Sequence, residues 1–489
     1  MTSDLSMTRR TFVQGVAAGA AALAVLPENA RGAAEKKPPS ERLNLACIGC
    51  GYQGLHMMPA LLKRPDVQIV AVCDPNTESR DYVGWGRGKP GEQGMAGGRE
   101  VGRRMVDEAY AKTAATGTYK GCKAYADFRE LLEKEKDLDA VHVITPDHLH
   151  ATIAIAAMKK GRHVACHKPV ANVLAEVRLA VETAENTGCG THLLAYHEMP
   201  AIYQVGEWLR QGVIGPVREV HRWTNRPVWP QGAGHLPTDT PPVPAGFDWD
   251  LWQGPVPPRP YSPAYTHAVF RGWYDYGSGC LADMGNYGLW LDWRMLDLGS
   301  PIRIEGCASI LSEIVGYKST AFRSDVAYPH ASTIRFTFPA RGSHPACDVF
   351  WYDGGMRPRT PDEMIAAGES FTPEGVMYVG ERGKILAGYL LQDARVLGPK
   401  AAIAAAAGIK LQPPEIIGTT DEWVGAFRGG RPSRGSFQQA RHLAEATCLG
   451  NLAVRLSTRL DWDAAAMKIT NVASANKYLK REYRPGWEL

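Results

Sequence analysis

The 489-residue sequence predicts an α/β protein of two domains. The first is a doubly wound parallel sheet of the Rossmann kind, and the second an α+β domain with a largely antiparallel, open sheet. Three observations carry this. A short apolar run, Leu43 to Ile48, enters a Gly-x-Gly-x-x-Gly turn at Gly49–Gly54 and then a helical stretch, Leu55 to Lys63. Strands alternate with helices between residues 41 and 169, which implies parallel strands with helices on both faces. Beyond residue 170, apolar and polar positions alternate with period two over Val217–Thr224, Ile302–Ile314, Ala331–Phe338, Asp348–Tyr352 and Val376–Ala387, the mark of antiparallel strands. The reading divides the chain at 1–40, 41–169 and 170–489.

Composition narrows the classes. With 45% hydrophobic and 22% charged residues the chain can build a core. The 55 basic and 51 acidic residues give +4, and leaving out residues 1–40 lowers this to about +2. No basic field is present of the kind that drives nucleic-acid binding. Ten cysteines are too few for a disulfide scaffold.

Residues 1–40 read as an address. Arg9-Arg10 precede a mild Ala/Gly-rich run from Val13 to Leu26, and the small-residue stretch Ala30–Ala34 follows. The order is that of an export signal, too short to span a bilayer, and the paired arginines resemble a twin-arginine signal. The expectation is therefore an exported, periplasmic protein without a membrane span. Outside the cytoplasm a dinucleotide is not freely supplied, so such a protein would hold its cofactor tightly.

In the glycine motif, Gly49 allows a tight turn, Gly51 a close backbone approach to a pyrophosphate, and Gly54 the packing of helix on strand. Tyr52 and Gln53 complete the turn, and the helix N-terminus favours phosphate. A second strand, Val67 to Cys73, ends in Asp74, whose carboxylate suits ribose hydroxyls and repels a 2′-phosphate, favouring NAD. Arg87, Arg99, Arg103 and Arg104, in and after a glycine-rich stretch at 84–98 read as a surface insertion, keep NADP possible. Strand Ala140–Ile144 stops at Thr145-Pro146-Asp147-His148-Leu149-His150, and strand His163–Cys166 at His167-Lys168-Pro169. Ligands of such sheets collect beyond these strand ends.

The order of the glycine turn, T-P-x-x-x-H at Thr145–His150, the K-P pair Lys168–Pro169 and a later Asp-led stretch, Gly279 to Tyr287, resembles the Gfo/Idh/MocA oxidoreductase family. The resemblance implies NAD(P), an oligomer formed through the second domain's sheet, and cofactor contacts from Thr145, Pro146, His150, His167 and Lys168. It also implies that Lys168 stands beside the nicotinamide and the substrate hydroxyl. Where the family usually has Glu before this lysine, this chain has His167, a titratable group. Asp283 and Tyr287 are four residues apart and share one helical face. The Tyr, in place of the more usual His, resembles the glucose–fructose oxidoreductase branch. On this reading Tyr287 transfers a proton, Lys168 favours its phenolate and polarises the substrate oxygen, and Asp283 positions both.

The stretch His221–Trp273 is dense in aromatic and polar residues, a composition suited to sugars. It offers Asn225, Arg226, His267, Arg271 and Trp273 as substrate residues, with His197 from the preceding strand. Cys47 and Cys50, His148 and His150, and His163 and His167 lack partners at ligand spacing, so no metal is expected. Two activities share these requirements: net oxidation of a carbohydrate hydroxyl, and glycoside cleavage by transient oxidation, elimination and re-reduction. A dinucleotide-dependent sensor would need no proton-transfer set.

Overall fold

The computed structural model describes residues 41–84, 92–196, 198–342, 344–411 and 413–489. The segment read as an export signal, and Arg87 and His197, lie outside these ranges. Six strands, β1 (Leu43–Ile48), β2 (Val67–Cys73), β3 (Lys123–Tyr125), β4 (Ala140–Val143), β5 (His163–Cys166) and β6 (Thr191–Leu193), form one parallel sheet in the order β3-β2-β1-β4-β5-β6. Leu45, Ala46, Val141, Val143 and Val164 are fully buried because helices cover both faces. These helices are α1 (Tyr52–Leu62), α2 (Arg99–Ala111), α3 (Phe128–Lys134), α4 (Asp147–Lys159) and α5 (Leu174–Thr187). The strand order reverses between β1 and β4, which opens a crevice at their C-terminal ends.

Three expectations are corrected. The parallel sheet continues past residue 169 through α5 and β6, because Thr191–Leu193 pairs with β5. The stretch at 84–98 is not simply a surface insertion: Met95–Gly97 pairs with Ser79–Tyr82, and the Tyr82 side chain is buried. The run Ile302–Ile314 divides, since Leu311–Val315 leaves the large sheet to form a separate hairpin with Lys318–Phe322.

The second domain is built on nine strands: β7 (Val217–Trp223), β8 (Arg303–Ala308), β9 (Ser332–Phe338), β10 (Cys347–Tyr352), β11 (Gly375–Gly380), β12 (Lys384–Ala387), β13 (Arg395–Leu397), β14 (Arg459–Asp463) and β15 (Lys468–Ile469). Their order is β13-β12-β11-β7-β10-β9-β8-β14-β15, and every pair is antiparallel except β7 with β10. The run Val376–Ala387 is the β11–β12 hairpin. Helix α6 (Gly279–Met295) lies on this sheet, and α7 (Phe437–Leu456) packs against α5, α6 and β8, welding the two domains. Close contact is possible because Gly450 has no side chain: a Cβ there would stand 2.5 Å from Leu281.

One buried ion pair fixes α6 to the sheet. Arg222 of β7 reaches Asp292 through Nε (2.8 Å) and Nη2 (2.7 Å), and the Tyr378 hydroxyl of β11 donates to the same carboxylate at 2.5 Å. Both ionic side chains are completely buried. Asp292→Asn should therefore destabilise the protein by about 3–5 kcal/mol, because Arg222 is left buried without its counter-charge. Arg222→Met combined with Asp292→Leu should cost much less. Denaturant midpoints of the single and double variants check this, and a double variant as unstable as the single one would contradict it.

Candidate active site

The crevice between β1 and β4 becomes a cleft that runs along the C-terminal edge of β2, β1, β4 and β5. At its centre is the glycine turn. Gly49 has φ +99°, and a Cβ there would lie 2.1 Å from the Ile144 carbonyl oxygen; one on Gly54 would lie 2.0 Å from the Gly49 carbonyl oxygen. Only glycine fits either place. Helix α1 starts on Gly51 with no side chain capping it, and Tyr52 and Gln53 line the cleft. This bare backbone cradle fits a pyrophosphate.

Asp74, at the end of β2, lines the same cleft. Its carboxylate accepts from the Cys50 and Asn76 backbone N–H groups, each at 2.8 Å. Burial nevertheless raises its pKa to about 6, with the two N–H groups opposing the rise. Of the four arginines that kept NADP open, the three among the described residues are committed elsewhere: Arg99 donates to the Asp74 and Pro75 carbonyls and to Thr77, Arg103 pairs with Glu100 and Asp107, and Arg104 with Glu78. Cradle and carboxylate together fit a dinucleotide that carries a free 2′-hydroxyl.

Beside Arg271, which lines the cleft, the two domains bring a cluster of charges together. Lys168, just beyond β5, forms an ion pair with Asp283 in the second turn of α6, and the Arg271 Nε donates to the same carboxylate oxygen at 3.1 Å. Lys168 and Asp283 are 2% and 3% exposed. Burial alone would push the Asp283 carboxyl upward, but Lys168 and Arg271 outweigh it and hold the group below the usual carboxylate range. The Lys168 amine also sits over the Tyr287 ring, 5.3 Å from its centre. Tyr287 behaves differently from expectation. Burial raises its pKa above the ordinary phenol value, and the cations recover only part of the rise, so it is a neutral phenol at neutral pH.

Other candidates divide. Thr145, Pro146, His167, His267 and Arg271 line the cleft. His167 is not the titratable group expected from the sequence; burial, helped by Lys168, drives its pKa far down and keeps it neutral. His150 stands behind the cleft, Nδ1 2.7 Å from the Pro169 carbonyl oxygen and Nε2 2.8 Å from that of Thr145, so it ties the T-P turn to the K-P turn. His148 stands likewise between two carbonyl oxygens, Nε2 2.8 Å from that of Trp252 and Nδ1 3.2 Å from that of Tyr276, and as a neutral imidazole donates to one of them. Trp273 is a core residue: its indole N–H donates to the Ala264 carbonyl and its ring packs edge-on against Tyr265. Asn225 is exposed beyond β7, and Arg226 faces Glu374 at 3.4 Å; neither lines the cleft.

Three lining residues escaped the sequence reading. Asp147, first residue of α4, is 3% exposed and leaves Oδ2 without a hydrogen-bond partner. It sits inside the motif that drew attention to its neighbours. Tyr82 stacks on His267, ring centres 4.0 Å apart, and lies just before the segment read as surface. Trp487 arrives from the last residues of the chain, where nothing local announces it.

Residues 99–194 match the Gfo/Idh/MocA model described as "Oxidoreductase family, NAD-binding Rossmann fold", and residues 217–305 the companion "Oxidoreductase family, C-terminal alpha/beta domain". Arg271, Asp283 and Tyr287 fall within the second match. Among curated relatives, a "Glycosyl hydrolase family 109 protein" of Stenotrophomonas maltophilia is 31% identical over 43% of this chain and 40% of its own length. A "Levoglucosan dehydrogenase" of Pseudarthrobacter phenanthrenivorans is 30% identical over 24% of this chain and 30% of its own. The chain thus spans well under half the length of these relatives. The fold is that of the WlbA dehydrogenase of Bordetella pertussis, solved with NADH and UDP-GlcNAcA: TM-score 0.53, 14% identity, 86% of this chain and 99% of that one covered.

The Asp74 geometry makes a pH-dependent prediction. Ribose hydroxyls donate to the ionised carboxylate, so NAD affinity should be full well above pH 6 and fall, by up to about tenfold per unit, as pH drops through 6. Titration calorimetry between pH 5 and 8 checks this. Asp74→Asn should flatten the profile and narrow the preference for NAD over NADP.

Proposed function

We propose that this chain, which belongs to the Gfo/Idh/MocA oxidoreductase family, is an exported enzyme that oxidises a hydroxyl of a pyranose or glycoside with a tightly held NAD(P). The carrying observation is the buried cluster of Lys168, Asp283 and Tyr287, joined to the cleft by Arg271, which lines it and donates to Asp283, and by His167, the lining residue before Lys168. Two cations share one carboxylate there, and the surplus positive charge, held in a water-poor site, stabilises an alkoxide as it forms from the substrate hydroxyl. Asp283 positions Lys168, so that the amine keeps one direction when substrate enters. Tyr287 takes up or returns the hydroxyl proton. A bound nicotinamide supplies hydride acceptance. Asp147, with its unpartnered Oδ2, is suited to accept a hydrogen bond from an amide or hydroxyl held above it.

Glycoside cleavage remains a second reading, favoured by the relatives named as family 109 glycosyl hydrolases. Oxidation of the hydroxyl two carbons from the anomeric centre would acidify the C–H between them, loss of that proton would expel the aglycone from the anomeric carbon, water would add across the double bond left behind, and return of the hydride would restore the hydroxyl. Both activities use the same proton-transfer residues. Pairing with a second copy of the chain through the open face of the nine-stranded sheet is what the family resemblance implies.

One experiment separates the readings. Protein recovered from the periplasmic fraction, without added cofactor, is offered a panel of glycosides. Reduced nicotinamide building up, seen by its absorbance, supports net oxidation; aglycone released without that build-up supports the glycosidase; neither, with bound cofactor present, sinks both. The raised Tyr287 pKa adds a sign. Phenolate is the base, so single-turnover oxidation should speed up about tenfold per pH unit from 7 to 9, while carbonyl reduction, which uses the phenol, stays flat. Tyr287→Phe should slow hydride transfer at least about a hundredfold and erase that slope, with NAD affinity unchanged.

A further inference from the structure

The cleft has a second end that the proposed chemistry does not use. Strand order puts β5 and Lys168 on one side of β1 and β2 and β3 on the other, so the cleft extends past Asp74 away from the catalytic cluster. Beyond Asp74 its walls are formed by Ala126, Phe128, Leu149, Leu251 and, from the far end of the chain, Trp487, with Asp127 as the one charged side chain among them. Trp487 is 6% exposed. It belongs to a tail strapped down on both flanks. The Arg129 Nη1 donates to the Gly486 carbonyl at 3.1 Å, and its guanidinium lies 4.3 Å from the centre of the indole. On the other flank Arg484 donates to the carbonyls of Gly254 and Asp250, each at 2.5 Å, and pairs with the Asp250 carboxylate. Gly254 yields room, since a Cβ there would stand 2.3 Å from Leu149 and 3.6 Å from the indole.

We infer that Trp487, with Phe128 and Leu149, forms the seat of the cofactor's adenine ring, so that the C-terminal tail closes the end of the cleft opposite Lys168. The inference rests on the dinucleotide reading above and extends it. A pyrophosphate on Gly49–Gly54 and a ribose on Asp74 leave one direction for the attached base, toward these walls after β3. An aromatic side chain offers a purine a large flat contact, and truncating such a contact costs tenfold or more in affinity. A tail that must lift before the base can leave also slows release, which an exported enzyme with a retained cofactor requires.

The test compares NAD with nicotinamide mononucleotide, which lacks the adenosine half. In full-length protein stripped of cofactor, Trp487→Ala should weaken NAD binding about tenfold or more and leave nicotinamide mononucleotide binding unchanged. Trp487→Phe, which keeps a ring and guards against loss of fold, should stay within about threefold of wild type for NAD. Equal weakening of both ligands would mark Trp487 as merely structural, and unchanged NAD affinity would place the adenine elsewhere; either result overturns the inference. Wild-type protein that binds neither ligand would overturn the dinucleotide reading itself, a distinct failure.

Discussion

The ion pair between Lys168 and Asp283 is the constraint on which the site depends. The two residues are 115 positions apart, one at the end of a parallel strand and the other on a helix carried by the antiparallel sheet. Removing both charges from water costs several kcal/mol each, and their mutual attraction repays this only if geometry and further hydrogen bonds are favourable. Apolar residues of similar size would fill the space at lower cost. A buried, hydrogen-bonded charge cluster behind the lining of a cleft is, on the proposed function, better understood as preorganisation for chemistry than as a device for stability.

Helix α6 keeps that cluster in register. Asp283 and Tyr287 lie one turn apart, and Asp292, a further turn and a half on, is locked between Arg222 and Tyr378. The Tyr389 hydroxyl donates to the Met284 carbonyl at 2.7 Å, and the Tyr196 hydroxyl to Asn286 Oδ1 at 3.3 Å. One helix is thus held from both sheets, and its rotation about its own axis, which decides where Asp283 and Tyr287 point, is set by polar contacts as well as by packing. On the facing side His150 performs a comparable task by tying the turn after β4 to the turn after β5.

What the sequence disclosed follows how local each cause is. The glycine turn, Asp74 at a strand end and the spacing of Asp283 and Tyr287 are patterns that show within short stretches of sequence, and all could be read directly. Arg271 was picked out for composition alone, as a group that suits hydroxyls, yet its structural partner is Asp283. Trp273 and Asn225 looked the same in sequence and stand elsewhere, one in an aromatic core and one in solvent, because side-chain direction in an irregular stretch depends on tertiary packing. The run Ile302–Ile314 has uniform alternation, but the chain turns out of the sheet near residue 309, a change that period two does not record. The directions of the Tyr287 and His167 shifts were hidden for a different reason. Neighbouring charges can be guessed from motifs, but burial cannot, and at both residues burial is the larger effect.

That last point bears on how a buried tyrosine can serve at all. A phenol whose pKa is raised is a poor resting base for alcohol oxidation and a sound acid for carbonyl reduction. In an enzyme that exchanges its cofactor, every turnover would have to expel the proton to water before the next substrate, against the desolvation that raised the pKa. In a closed cycle the demand disappears. The proton that Tyr287 accepts when one carbon is oxidised is the proton it returns when a carbonyl is reduced, whether that carbonyl belongs to a second sugar or to the same ring after elimination. The ionisation cost then falls on entry into the cycle rather than on each pass. Burial of the phenol and the proposed retention of the cofactor are, on this view, two aspects of one design.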